Sequence, residues 1–115
     1  MDVARERFGT VDALVQVAAF ENAWGGLYDM KFEDWRSAFE TNVLGAINVI
    51  RPAAAAMKET GGGAGVLIGS QSMFAPQMPQ GGYAASKSAL LSAMYYLCDE
   101  RGPDNIRCNM VIPSW

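Results

Sequence analysis

Apolar and polar positions along the chain follow two alternating patterns. Val11-Asp12-Ala13-Leu14-Val15-Gln16-Val17-Ala18 is a short apolar run of the type that forms a strand buried on both faces. Gly65-Val66-Leu67-Ile68-Gly69 is a second such run, and Ile106-Arg107-Cys108-Asn109-Met110-Val111-Ile112-Pro113 is a third. Between them the spacing predicts two helices. The first runs from about Phe32 to Lys58, with Trp35, Phe39, Val43, Ala46, Ile50 and Met57 recurring on one side. Glu33 and Asp34 suit the positive end of its dipole, and Gly61-Gly62-Gly63 stops it. The second runs from about Gly82 to Arg101 and is ended by Gly102-Pro103.

Strand, helix, strand, helix, strand is the order of an α/β fold with a parallel sheet, one half of a doubly wound architecture. Both crossovers of such a half put their helices on the same side, so the opposite sheet face has no cover in this chain. At least one sheet edge is also unpaired, which invites association with another chain or a missing partner segment. The second helix points the same way. Ala89, Leu90, Leu91, Ala93, Met94, Tyr95, Tyr96, Leu97 and Cys98 spread apolar character around more than one face, as in a helix buried on two sides. A subunit interface explains that spread, and so does deep embedding in the chain's own core.

Composition narrows the chemistry. The 115 residues suffice for one small core and are too few for two ordinary domains. A net charge of −3 without runs of like charge gives no footprint for nucleic acid or an anionic membrane. No apolar run reaches the ~18–20 residues of a membrane span, and Met1–Arg7 lacks the apolar stretch of a signal peptide, so a cytoplasmic location is expected. The histidine count is 0, which removes Ser-His-Asp and Cys-His nucleophile systems and most catalytic zinc sites, so no metal is expected. Cys98 and Cys108 read as reduced packing residues. Met73 and Met78 fall in a loop, as pocket lining or as plain loop packing.

Tyr, Lys, Ser and Asn therefore carry whatever chemistry there is. Tyr83-Ala84-Ala85-Ser86-Lys87 opens the second helix, and the i, i+4 spacing puts Tyr83 and Lys87 on one face. A nearby cation stabilises phenolate and makes a phenol usable as an acid/base, although the same pattern occurs on ordinary helix surfaces. Ser70 lies just past the second strand, where an open parallel sheet presents residues to ligands. Asn42 sits mid-helix in Thr41-Asn42-Val43-Leu44-Gly45, where Asn is a mediocre helix former and Gly a poor one. Alone, Ser70 reads as a loop hydroxyl and Asn42 as a tolerated polar residue.

Together these residues resemble the motif set of the short-chain dehydrogenases/reductases. The resemblance covers nearly the whole chain, from Arg7-Phe8-Gly9-Thr10-Val11-Asp12 to Pro113-Ser114-Trp115. It rests on Asn42-Val43-x-Gly45, Pro52, Ser70, Tyr83-x-x-x-Lys87, and Gly102-Pro103 leading into Ile106-Arg107-x-Asn109-x-Val111-x-Pro113. It implies a partial Rossmann-like domain over 1–115 that holds the catalytic half, and hydride transfer between NAD or NADP and an alcohol or carbonyl. Tyr83 would be general acid in reduction and general base in oxidation. Lys87 would lower the Tyr83 pKa and bond the nicotinamide ribose, Ser70 would polarise the substrate carbonyl, and Asn42 would hold a water in the proton relay. Ala18, Tyr83, Lys87, Pro113 and Ser114 would contact the cofactor, and Gln71, Met73 and Phe74 the substrate.

The chain departs from the family at three places. Gln16-Val17-Ala18-Ala19 stands where the family reads Asn-Asn-Ala-Gly, and Pro113-Ser114 stands for Pro-Gly. The glycine-rich pyrophosphate fingerprint is absent, and Gly61-Gly62-Gly63-Ala64-Gly65 is no substitute, because it leads from a helix into a strand. An oxidoreductase of this type is one expectation. The other is a non-catalytic remnant that self-associates or needs a partner segment, through the two helices or the exposed sheet face.

Overall fold

The computed structural model describes residues 1–76 and 78–114; Trp115, the last residue of the resemblance, lies outside them. Strands β1 (Ala13–Gln16), β2 (Gly63–Ile68) and β3 (Ile106–Val111) form a parallel sheet in the order β1-β2-β3. Val15 pairs with Val66, Gly65 with Cys108 and Leu67 with Met110. Parallel neighbours require crossovers, and helices supply both. A short helix, α1 (Asp2–Phe8), precedes β1; no residue of it is buried, which is why hydrophobic periodicity did not announce it. The first crossover is α2 (Phe32–Phe39), a π-helical segment Glu40–Gly45, and α3 (Ala46–Glu59); the second is α4 (Gly81–Arg101).

The strands are shorter or shifted relative to the apolar runs. β1 keeps only the middle of Val11–Ala18, and β3 stops at Val111, two residues short of Pro113, whose ring nitrogen has no hydrogen for a ladder. The strands also correct the expectation of burial on both faces. Leu67, Ile106 and Cys108 are buried beneath the helices, while Val15 and Val111 on the other face are 62% and 52% exposed. The uncovered face expected from the strand order is therefore present. On α4, of the two explanations for its apolar spread, deep embedding in the chain's own core does not hold: Leu90 and Met94 are buried, but Tyr95 and Tyr96 are exposed.

Glu33 and Asp34 occupy the first turn of α2, as the dipole argument requires. The predicted single helix is continuous from 32 to 59, but its middle turn is π-wound, and Asn42 is the residue buried there. Its end needs glycine at Gly62, where φ is +133° and a Cβ would stand 2.5 Å from the Asn105 carbonyl oxygen.

Helices α3 and α4 pack on the same sheet face. Ala46 and Ile50 of α3, Leu90 and Met94 of α4, Leu67 of β2 and Cys108 of β3 make one core cluster. Small Ala53 and Ala54 let α3 approach closely enough for Met57 and Ile106 to extend that core. Fully burying Leu67 and Leu90 stabilises by about 2 kcal/mol each. A separate cluster of Ala23, Met30 and Ala38, flanked by Phe20 and Trp35, anchors the segment between β1 and α2.

Candidate active site

The sheet, the loop after β1 and the start of α4 meet at the carboxyl ends of the strands, where open α/β sheets bind ligands. Gly69 leads out of β2 through a tight passage: a Cβ there would lie 2.7 Å from Met110 Sδ and 3.0 Å from Met73 Sδ, so those methionine side chains would have to shift. Ser70 follows in extended conformation and caps a single 3₁₀ turn, Gln71–Met73. The Ser70 hydroxyl accepts from the Ser72 N–H (3.3 Å) and the Ser72 hydroxyl (2.9 Å), which fixes it as the turn begins.

The start of α4 is fastened to the loop after β1. The Gly25 N–H donates to the Pro79 carbonyl (2.6 Å), and the Gly81 N–H donates to the Gly25 carbonyl (3.0 Å). The Gln80 Nε2 donates to the Glu21 carbonyl at 3.2 Å. Tyr83, in the first turn, is half-buried. One turn later Lys87 is only 1% exposed, its Nζ donates to the Ile68 carbonyl at 2.8 Å, and it lies 5.7 Å from the centroid of the Tyr83 ring.

Asn42 stands behind this pair. Its Oδ1 accepts from the Phe20 N–H (2.6 Å), and its Nδ2 donates to the Phe20 carbonyl (2.9 Å) and to Ser86 Oγ (2.8 Å). Ser86 in turn donates to the Tyr83 carbonyl at 2.7 Å. Both amide hydrogens of Asn42 are thus used in tying the loop after β1 to the first turns of α4. The π-wound turn is the local device that seats Asn42 there, a place where such turns recur in functional sites.

Burial pushes the Tyr83 phenol above its ordinary range; the Ser70 side chain, close enough to hydrogen-bond it, pulls the other way, and the Glu21 carboxylate adds to the rise. Burial lowers the Lys87 pKa, because an ammonium loses hydration there. The resemblance implied a phenol acidified by Lys87. In this structure the ammonium lies against the ring and its bond goes to Ile68, so desolvation dominates and Tyr83 stays protonated at neutral pH.

A cleft of about 270 Å³ opens over these groups. Of the residues singled out in the sequence, Ser70, Gln71, Tyr83, Pro113 and Ser114 line it, with Met78. The Ser114 hydroxyl bonds Gln71 Oε1, and the Gln71 N–H donates to the Pro113 carbonyl at 3.1 Å, so the segment after β3 closes one wall. Lys87 lies beneath the cleft and Asn42 behind it. Ala18 is exposed just past β1 and is not among the described lining residues. Met73 and Phe74 are not among them either: Met73 turns its sulfur to the Ser70 N–H (3.4 Å), and Phe74 is 66% exposed. Sequence reasoning missed Glu21, Ser72 and Gln80, which do line the cleft. No motif marks them, since an isolated polar residue in a loop carries no periodic signal.

The family described as Enoyl-(Acyl carrier protein) reductase matches residues 1–115. The chain is 38% identical over 112 residues to the 3alpha-hydroxysteroid dehydrogenase of Mediterraneibacter gnavus, covering 96% of this chain and 44% of that protein. It is 34% identical over 111 residues to Dehydrogenase/reductase SDR family member 4 of Mus musculus, covering 96% and 40%. Among solved structures, a 7 alpha-hydroxysteroid dehydrogenase complexed with NADH and 7-oxo glycochenodeoxycholic acid superposes with a TM-score of 0.89 at 30% identity, covering 98% of this chain and 44% of that one. An NAD+-bound xylitol dehydrogenase gives a TM-score of 0.93 at 25% identity, covering 97% and 43%. The chain belongs to the short-chain dehydrogenase/reductase family of oxidoreductases, and its α/β sheet is part of their Rossmann fold. It spans about 40% of the length of the curated relatives it matches. Among the described residues, no helix is long and apolar enough to cross a membrane.

Proposed function

We propose that this chain carries the proton-transferring part of an NAD(P)-dependent oxidoreductase that moves a hydride between nicotinamide and an alcohol or carbonyl. The observation that carries this reading is the convergence of the Ser70 and Tyr83 side chains on one cleft, with the Lys87 ammonium buried against the Tyr83 ring. A carbonyl oxygen between the two hydroxyls receives a hydrogen bond from each. Ser70 holds and polarises it, and Tyr83, protonated at neutral pH, delivers the proton as charge builds on that oxygen. In oxidation the same phenol, once ionised, removes the proton from the alcohol.

The residues fit a nicotinamide nucleoside. Lys87 spends one of its three N–H groups on Ile68, leaving two for ribose hydroxyls. The cleft of about 270 Å³ is near the ~300 Å³ lower bound of small-molecule sites, which suits the reacting end of the cofactor and a small substrate. Tyr83, Lys87, Ala18, Pro113 and Ser114 are the residues we assign to holding it. When bound, the nicotinamide supplies the hydride in reduction and accepts it in oxidation. Asn42 acts as a positioning residue, because its bonds to Phe20 and Ser86 set the loop and helix that carry the site.

We further assign the open sheet face and the outer side of α3 and α4 to association, as a homo-oligomer or with a partner segment; the exposed Val15, Val111, Tyr95 and Tyr96 support this. Free Cys98 and Cys108 favour a reducing compartment such as the cytoplasm. The test of the catalytic reading is carbonyl reduction with NADH or NADPH by the parent and by Tyr83→Phe. Loss of the acid lowers the rate by roughly 10²–10⁴-fold. A Tyr83→Phe variant as active as its parent refutes the role of Tyr83, and absence of cofactor binding at millimolar concentration refutes activity of this chain alone.

A further inference from the structure

We propose that Glu21 sets the charge preference of the cleft and selects neutral, hydroxyl-bearing carbonyls or alcohols over carboxylated ones. The inference rests on the catalytic reading above and adds to it a substrate class. Among the described residues lining the cleft, Glu21 is the one that carries a charged side chain. Lys87, 1% exposed and bonded to Ile68, is not among those lining residues, so its charge is no part of the described cleft wall. The remaining polar lining, Gln71, Ser72 and Gln80, consists of uncharged donors and acceptors suited to hydroxyl groups.

Glu21 is exposed, and it is the backbone carrying it that is held in place. Its own carbonyl accepts from Gln80 Nε2 (3.2 Å), and the preceding residue, Phe20, is gripped through both backbone polar groups by Asn42. The carboxylate is close enough to the reacting end for its field to reach the Tyr83 phenol. A substrate with a carboxylate beside the reacting carbonyl would bring a second negative charge into the same cleft, whereas a hydroxyl there can donate to Glu21.

Hydroxyacetone and pyruvate form a near-isosteric pair for the test, differing in a hydroxymethyl against a carboxylate. Glu21→Gln keeps the shape and removes the charge. It should raise kcat/KM for pyruvate relative to hydroxyacetone by roughly 3- to 10-fold, the effect of one unit charge across a partly wet cleft. Glu21→Lys should reverse the preference. The same pair is titrated by ligand-observed NMR, so the proposal is read even without turnover. A pyruvate-to-hydroxyacetone ratio that stays within twofold of the parent in Glu21→Gln overturns the proposal, as does failure of both probes to bind. Turnover with an unchanged ratio removes the role of Glu21 and leaves the catalytic reading standing. Binding that shifts as expected without any turnover removes the catalytic reading and leaves the charge preference standing.

Discussion

Replacing Asn42 with alanine removes a side chain that is 0% exposed and makes hydrogen bonds of 2.6 and 2.9 Å to the Phe20 backbone and 2.8 Å to Ser86. A net hydrogen bond is worth about 1 kcal/mol, and an orphaned buried group costs more. Phe20 is half-buried, so water re-satisfies part of what its backbone loses. A loss of about 2–3 kcal/mol remains. The assay is urea unfolding followed by tryptophan fluorescence, to which Trp35, in the cluster beside Phe20, contributes as one of 3 tryptophans. The slope should be unchanged, so that the midpoint carries the difference. Asn48→Ala is the control: Asn48 is exposed on α3, and alanine there should be neutral or stabilising by about 0.5 kcal/mol through helix propensity. If Asn42→Ala stays within about 0.5 kcal/mol of its parent, the range of an ordinary surface change, the pin between loop and helix is not what holds this corner together.

Further predictions concern titration and association. Burial raises the Tyr83 pKa above 10.0, so the rate of carbonyl reduction should be flat through neutral pH and fall only in strongly alkaline solution, while alcohol oxidation rises toward the same inflection; a break near neutrality refutes this assignment. The Lys87 pKa is lowered from 10.5, so the unfolded chain binds that proton more tightly and stability should rise as pH climbs from the folded value toward 10.5. The raised Tyr83 pKa acts with opposite sign above its unfolded value, so the Lys87 effect is measured in a Tyr83→Phe background, where Lys87→Met should abolish the alkaline rise. Sedimentation at low micromolar concentration tests the open sheet face: Val15→Lys should weaken self-association, and a parent chain that is already a compact monomer contradicts an oligomer built on that face.

Much of the fold was legible because burial imposes periods on a sequence. The three apolar runs became β1, β2 and β3, and the 3–4-residue spacing from Trp35 to Met57 became one continuous helical rod. Glycines marked its C-terminal end for a local reason, visible at Gly62, where the backbone adopts φ +133° against Asn105. The i, i+4 spacing of Tyr83 and Lys87 likewise placed both on one helical face before any tertiary contact was known.

Tertiary contacts decided the rest. Helical periodicity is read at 3.6 residues per turn, so it could not show that Glu40–Gly45 is π-wound, or that this turn lets Asn42 reach Phe20 and Ser86. Nor could spacing say whether Lys87 would meet the Tyr83 hydroxyl or its ring face; the Ile68 carbonyl, far away in sequence, captures the ammonium and settles the geometry. Glu21 joined the cleft only because the loop after β1 is pinned to the start of α4. By itself, then, the sequence determined which segments fold and which residue types are available for chemistry. The direction of each polar side chain, and hence the charge and proton state of the site, depended on partners that only the closed chain brings together.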